Sequence, residues 1–446
     1  PRILPNFHCD ILVIGAGALG MASAYHLQLN NPYKKILVID NLGGVGQAGT
    51  GRSAAMVRNT FTSYDNQVLA NSSIEYYLSI QRESGIDLGL ELIGYLWLMS
   101  ALQFRANSKN LERMTKNGIE LRTYAQEELG RSIPEITASF GGSNLEASIM
   151  ELEEIDVGVF GTKCGKIEPD RLVKFYYDRF TALGGQCQFN TQAEKLIVVP
   201  RKKLDIEGEP FIWQEQKIAG VETKGALEGD IHTETIVLAG GAWNNFLLEP
   251  IGIDGHVKSK KRQIFQVSAK DKRELRNLLF TRGFNDYGVM PFLVLPKCGI
   301  YVKPVRQGEQ FWIGCDDEPN RELMNIPDFD PERYIPEPSF YQNDIYPVLS
   351  TYLPPFRDQS PSGSWAGLIA YNTLDHLAYI FQNENLIVAG GDSGSGIMKA
   401  DSLGRIVESL YRLGPDSEAP LYGNISYPVS RLGIKKRSVE QEEWLL

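Results

Sequence analysis

An apolar strand that runs straight into a glycine turn and opens a helix constrains this chain more than any other feature: Asp10 to Gly20 reads DILVIGAGALG. In such a turn Gly15 permits the tight bend, Gly17 lets the backbone approach a pyrophosphate, and Gly20 lets the helix continuing as MASAYHLQL pack close to the strand, with Ala16 and Ala18 between them. An anion is favoured at that helix start, where unpaired N–H groups and the positive end of the macrodipole coincide. Glycine turns are common, so a lone fingerprint says little. Here the next strand, KILVID, ends in Asp40, followed by Asn41, and Asp40 stands 20 residues after Gly20. An acid at that distance accepts hydrogen bonds from a ribose hydroxyl, and the whole register predicts a βαβ unit that binds a dinucleotide.

With 446 residues and 43% hydrophobic content the chain can bury a large core, and its length predicts two or three domains or one large composite. A net charge of −10 and a pI of about 5.3 exclude the basic footprint of a nonspecific nucleic-acid binder. The clusters Lys258, Lys260, Lys261, Arg262 and Lys435, Lys436, Arg437 read as solvated surface. Five scattered cysteines without a CxxC pair point to a reducing compartment, hence a cytoplasmic protein with peripheral membrane contact left open. No signal peptide is expected ahead of the first strand, and no apolar run approaches the roughly 18 residues of a membrane span. The five histidines lack HxxxH or HExxH spacing, so no metal site is expected.

Three separated stretches look like parts of one nucleotide-binding unit. They are the N-terminal βαβ with the run Gly43 to Arg58, the strand TIVLAGGAWNN from Thr235, and the strand, glycine turn and helix from Asn385 to Leu413. Between them, ELIGYLWLM and PFLVLPKCGIYVKPVRQGEQFWIGC alternate, are aromatic and carry Pro and Gly punctuation, which predicts strands of an antiparallel sheet. Two domains, each discontinuous, account for the recurrence of glycine-rich strand ends near residues 240 and 390.

Taken in order, GAGALG, GTGRSAAMVRNTF, GYLWLM, KIEPDRLVKFYYDRF, VLAGGAWNN, WAGLIAYNTLD and GGDSGSGIMKADSLGR resemble the FAD-dependent oxidoreductases of the D-amino-acid oxidase and sarcosine oxidase type. The resemblance implies an α/β, or α+β composite, architecture. A Rossmann-type FAD-binding domain (residues 1–88, 158–256 and 362–430) would stand beside an antiparallel-sheet substrate domain (89–157 and 257–361), followed by a tail, 431–446. It implies FAD on Gly15, Ala16, Gly17, Ala18, Gly20, Asp40 and Asn41, with Gly51, Arg52 and Ser53 at the pyrophosphate or flavin edge. Lys195 would lie near the adenine, Gly240 and Trp243 in the FAD domain, and Gly367, Gly391, Gly394, Gly396 and Ile397 at the flavin. Covalent flavins of the family use a cysteine in the segment here written WAGLIAYNTLD, where the matching position is Leu368, and the first loop has no histidine; noncovalent FAD is expected.

Amine oxidation on a flavin asks the protein mainly to orient a carbon–hydrogen bond and exclude water. An amino-acid site also needs a cation for the carboxylate, and Arg58 occupies the family's position for one. A lysine of sarcosine oxidase-like sequences falls on Met398 here, with Lys399 one residue on, a rotation of roughly 100° that is expected to turn Lys399 away. Met398 is then the flavin-facing residue and suggests an apolar site for a cyclic or N-alkylated amino acid. Trp312 aligns with a lysine that promotes reaction with oxygen, which predicts electron transfer to another acceptor. Tyr371 is a candidate lining residue.

The resulting expectation is an FAD-dependent enzyme that oxidises the C–N bond of a small amino acid, sarcosine- or proline-like, as a dehydrogenase. Two alternatives stay open: a 2-hydroxy-acid dehydrogenase on the same scaffold, and an FAD-containing assembly or scaffold subunit whose tail docks a partner. The electron acceptor is unknown, and homo- or hetero-oligomers are equally open.

Overall fold

The computed structural model describes residues 7–141, 144–316, 323–324, 335–435, 437 and 439–444. The fingerprint strand Phe7–Ile14 lies at the centre of an eight-stranded sheet, paired in parallel with Ile36–Ile39 on one side and Gly229–Leu238 on the other. Leu386–Gly390 extends the parallel set beyond Gly229–Leu238, and Gln186–Gln188 extends it beyond Ile36–Ile39. Ile11, Leu12 and Val13 have no exposure, as expected of a parallel strand covered on both faces. The sheet therefore gathers strands from the start, middle and end of the chain, as the three glycine-rich stretches predicted.

The fingerprint helix Ala18–Asn30 packs against the terminal helix Gly396–Leu413, and contact is close enough that a Cβ on Gly404 would lie 2.8 Å from the Ala22 carbonyl carbon. Over most of the terminal helix burial makes pairing of its charged groups necessary. Asp401 contacts His26 Nε2 at 2.8 Å and accepts from Arg405 Nε at 2.6 Å, and these two partners hold its carboxyl below the usual range against the cost of burial.

A second eight-stranded sheet runs Gly363–Asn372, Val257–Ser268, Gln310–Cys315, Ile300–Val305, Phe292–Val294, Tyr95–Met99, Val157–Gly161, Leu121–Ala125. Every neighbouring pair is antiparallel except Phe292–Val294 with Tyr95–Met99. Two segments given to the FAD-binding domain by sequence belong to this sheet instead. Val157–Gly161 pairs on both sides within it, and Gly363–Asn372 forms its edge beside Val257–Ser268. Alternation cannot tell which sheet a strand joins, because both offer the same ladder hydrogen bonds. Among the described residues no helix is long and apolar enough to cross a membrane, and no cluster of metal-ligating side chains occurs.

Candidate active site

One cavity of about 820 Å³ runs between the two sheets. Its first end is the fingerprint. Gly15 has φ +107°, and a Cβ there would strike the Ala239 carbonyl, with the carbonyl carbon only 2.9 Å away. Gly17 caps the helix with extended backbone, and Asp40 accepts from the Ala16 and Leu42 N–H groups at 2.7 and 2.8 Å. Burial raises the Asp40 carboxyl while these two bonds lower it.

The loop Ala48–Ala55 forms the middle of the wall and is pinned to the edge strand. Arg52 Nη1 donates to the Ala366 carbonyl at 3.2 Å, and Trp365 Nε1 donates to the Arg52 carbonyl at 3.1 Å. Ser53, Asn41, Trp243, Gly240, Gly367, Leu368, Gly394, Gly396 and Ile397 also line the cavity.

The far end carries buried charge. Arg58 is 7% exposed; it donates through Nη1 to the Thr60 carbonyl at 2.8 Å and through Nη2 to the Trp444 carbonyl at 3.1 Å, with its guanidinium 4.4 Å from the Phe61 ring centre. Lys399 is fully buried and lines the cavity beside Met398. Its ammonium donates to Asn66 Oδ1 and to Ser395 Oγ and lies 4.8 Å from the same Phe61 ring. Burial pushes Lys399 down to about 7, with the Glu442 and Asp392 charges opposing the shift and Arg58 adding to it. An aromatic wall closes this end, with Tyr95 to Phe292 at 4.3 Å and Phe292 to Tyr301 at 5.1 Å between ring centres.

Several sequence expectations change. Lys399 is not turned away, because the first turn of its helix is buried on all sides and the long lysine stem reaches Asn66. Trp312 is not among the lining residues. It stands opposite Lys303 in the ladder, and the buried Lys303 ammonium sits 4.2 Å from its ring centre while donating to the Ala54 carbonyl at 2.7 Å. A buried cation does stand beside Trp312, on the adjacent strand, where burial pushes it down to about 7; like Trp312 it lies behind the cavity wall and is not among the lining residues.

Lys195 is exposed, and the wall near it is built by Thr191, Gln192 and Ala193. Ala16, Gly20, Gly51 and Gly391 support the cavity without lining it: a Cβ on Gly20 would strike the Gly15 carbonyl, one on Gly51 would lie 2.6 Å from the Gly46 oxygen, and one on Gly391 would lie 2.6 Å from the Tyr379 ring. Tyr371 lines the cavity and accepts from Arg262 Nη2 at 2.6 Å. Lys260 and Arg262, read as solvated surface, also line it, and Arg437 is a buried partner of Asp375.

Sequence reasoning missed Lys303, Asn66, Glu442 and the aromatic wall. A signal for Lys303 existed: it is the one charge in the apolar strand IYVKPV, two residues from Tyr301 and therefore on the same face.

A fold with a dinucleotide fingerprint at one end of a cavity and buried cations at the other defines a two-domain nucleotide-cofactor oxidoreductase. The chain belongs to the FAD dependent oxidoreductase family (DAO), whose pattern it matches over residues 10–410. It is 23% identical to the FAD-dependent oxidoreductase domain-containing protein 1 of Xenopus laevis over 424 residues, 91% of this chain and 80% of that one. It is 20% identical to the monomeric sarcosine oxidase of Bacillus sp. (strain B-0618) over 440 residues, 97% and 99% of the two chains. Its fold is similar to that of L-proline dehydrogenase from P. horikoshii, with a TM-score of 0.71 and 20% identity, covering 96% and 97% of the two chains. FAD is therefore the cofactor, and the residues present fit it: a turn closed to side chains at Gly15 and Gly20, a half-buried acid held by two backbone N–H groups, and a cavity within the roughly 300–1,000 Å³ of cofactor sites.

Proposed function

We propose that this enzyme oxidises the C–N bond of a small amino acid, a secondary amine of the sarcosine or proline kind. The observation that carries the reading is the pairing of Arg58 and Lys399 over one Phe61 ring at the end of the cavity remote from the fingerprint. Two buried cations recognise a carboxylate, and the guanidinium can do so with parallel hydrogen bonds. Tyr95, Phe292, Tyr301 and Met398 supply apolar surface for an alkyl or ring substituent and exclude water. The relatives named for sarcosine and proline act on substrates of this kind.

Bound FAD supplies the acceptor for the hydride equivalent. Gly15, Gly17, Asp40, the loop Ala48–Ala55 and Gly394–Met398 would hold it, noncovalently, since Leu368 stands at the family's cysteine position. The scaffold reading rested on lost polar groups at Met398 and Trp312 and on a tail able to dock a partner; the buried Lys399 and Lys303 weigh against the first ground, and the burial of Glu442 and Trp444 against this chain's own residues weighs against the second. Anaerobic addition of proline, sarcosine and 2-hydroxyglutarate to the FAD-loaded protein tests the reading. Bleaching of the visible band by an amino acid alone is expected, whereas bleaching by the hydroxy acid alone would overturn it. After acid precipitation the yellow chromophore should be in the supernatant.

The acceptor depends on Lys303. A buried ammonium stabilises developing negative charge on oxygen only while protonated. With its value pushed down to about 7, that stabilisation is present below pH 7 and is lost as pH rises through it. Reoxidation of substrate-reduced enzyme in air should therefore slow above pH 7, and Lys303→Met should slow it by roughly tenfold or more and flatten the pH profile. Stopped-flow mixing with oxygen decides between the cases: slow reoxidation that Lys303→Met leaves unchanged marks a dehydrogenase.

A further inference from the structure

We propose that residues 439–444 form a strap that is part of the active site, with Glu442 and Trp444 as positioning residues for Arg58. The inference rests on the reading of Arg58 as the carboxylate-holding group.

Glu442 is 5% exposed and lines the cavity, yet its carboxylate is already filled. One oxygen accepts from the Thr62 N–H at 2.8 Å, the Thr62 hydroxyl at 2.7 Å and the Trp444 N–H at 3.0 Å. The other accepts from the Ser63 N–H at 3.1 Å and from Asn66 Nδ2 at 3.0 Å. These donors lead into the first turn of the helix Tyr64–Ser79, where a negative charge is favoured. A carboxylate so saturated holds chain rather than substrate. What it holds is Trp444, whose ring is 3% exposed and packs edge-on against Trp97 at 5.3 Å, and whose carbonyl takes the Arg58 Nη2 hydrogen bond. Outside, Arg113 clips the strap at Glu443, 3.4 Å away.

Arg58 is thereby fixed from three directions: the Thr60 carbonyl, the Phe61 ring and the strap. Two of its N–H donors bind backbone, and the orientation of the remainder of the fork is set before any ligand arrives, which is the condition for bidentate recognition. The latch also touches the second cation. Asn66 donates to Glu442 through its nitrogen and accepts from Lys399 through its oxygen.

The test uses the FAD-loaded full chain and reads the flavin absorbance change on titration with furan-2-carboxylate and with furan-2-carboxamide, flat rings suited to the aromatic wall. Wild type should prefer the carboxylate. Glu442→Ala should reduce that preference at least tenfold with FAD content unchanged, and Glu442→Gln, which keeps one accepting oxygen, should restore part of it. In an Arg58→Met background Glu442→Ala should cost only a small part of its single-variant effect, the part carried through Asn66 to Lys399, since Glu442 and Arg58 act as one unit. Trp444→Ala, which loosens the same carbonyl, provides a second variant if Glu442→Ala fails to accumulate. Equal losses for carboxylate and carboxamide, or an unchanged preference, would overturn the strap as a positioning element. If Arg58→Met itself leaves the preference intact, the reading of Arg58 falls and the strap falls with it.

Discussion

Arg58→Met should lower kcat/KM for an amino-acid substrate by roughly two orders of magnitude while FAD content stays near wild type. Hydrogen bonds to charged groups contribute about 1.5–3 kcal/mol each, and a tenfold change in rate corresponds to about 1.4 kcal/mol, so loss of a bidentate pair suffices even with Lys399 still present. Methionine keeps the buried stem's volume and removes only the fork. The substitution also leaves the Thr60 and Trp444 carbonyls without their donor, so a stability loss of about 1–3 kcal/mol should accompany it. Arg58→Lys should fall between, since a point charge retains attraction without the parallel geometry. Normal oxidation by the methionine variant would place the carboxylate elsewhere. Loss of flavin would make Arg58 a cofactor residue.

Gly15→Ala should yield protein without FAD and destabilised by about 3 kcal/mol or more, because the new methyl meets fixed backbone at Ala239 and the residue needs φ +107°. Neither the strand nor the turn can give way without separating Phe7–Ile14 from Gly229–Leu238. Gly17→Ala is the informative companion. Its Cβ would lie 3.3 Å from Thr50 Oγ1 and its backbone is ordinary, so the protein should fold near wild-type stability while binding FAD far more weakly, as the methyl occupies the ligand's line of approach. The ratio of flavin to protein absorbance, read beside thermal unfolding, checks both. A Gly15→Ala protein that is yellow and stable would mean that the turn is not where the cofactor binds.

The nucleotide end was legible because its determinants are local. A strand, a glycine turn and a helix lie within some twenty residues, and Gly20 answers a steric demand set inside that span, although Gly15 meets Ala239 from a strand far along the chain. Arg58 and Met398, singled out by family position, both line the cavity. Lys399 was misjudged because rotation by one helical residue decides direction only where one side of the helix is solvent, and in the first turn of this helix none is. Trp312 was misplaced because alternation gives the face of a strand but not its partner: Lys303 becomes its neighbour through a hairpin register that sequence does not encode residue by residue.

By itself, then, the sequence determined the strand, glycine turn and helix of the dinucleotide fold and the existence of an antiparallel partner sheet, which follow from periodicity and turn chemistry, while FAD as the dinucleotide came from the resemblance to a family. Tertiary structure decided how the far end of the cavity is held together. The Glu442 carboxylate meets Thr62 and Asn66 across more than 370 residues, and Lys399 meets Asn66 across 333. Contacts of that separation depend on how two sheets are laid side by side, and burial then sets which charges they hold together.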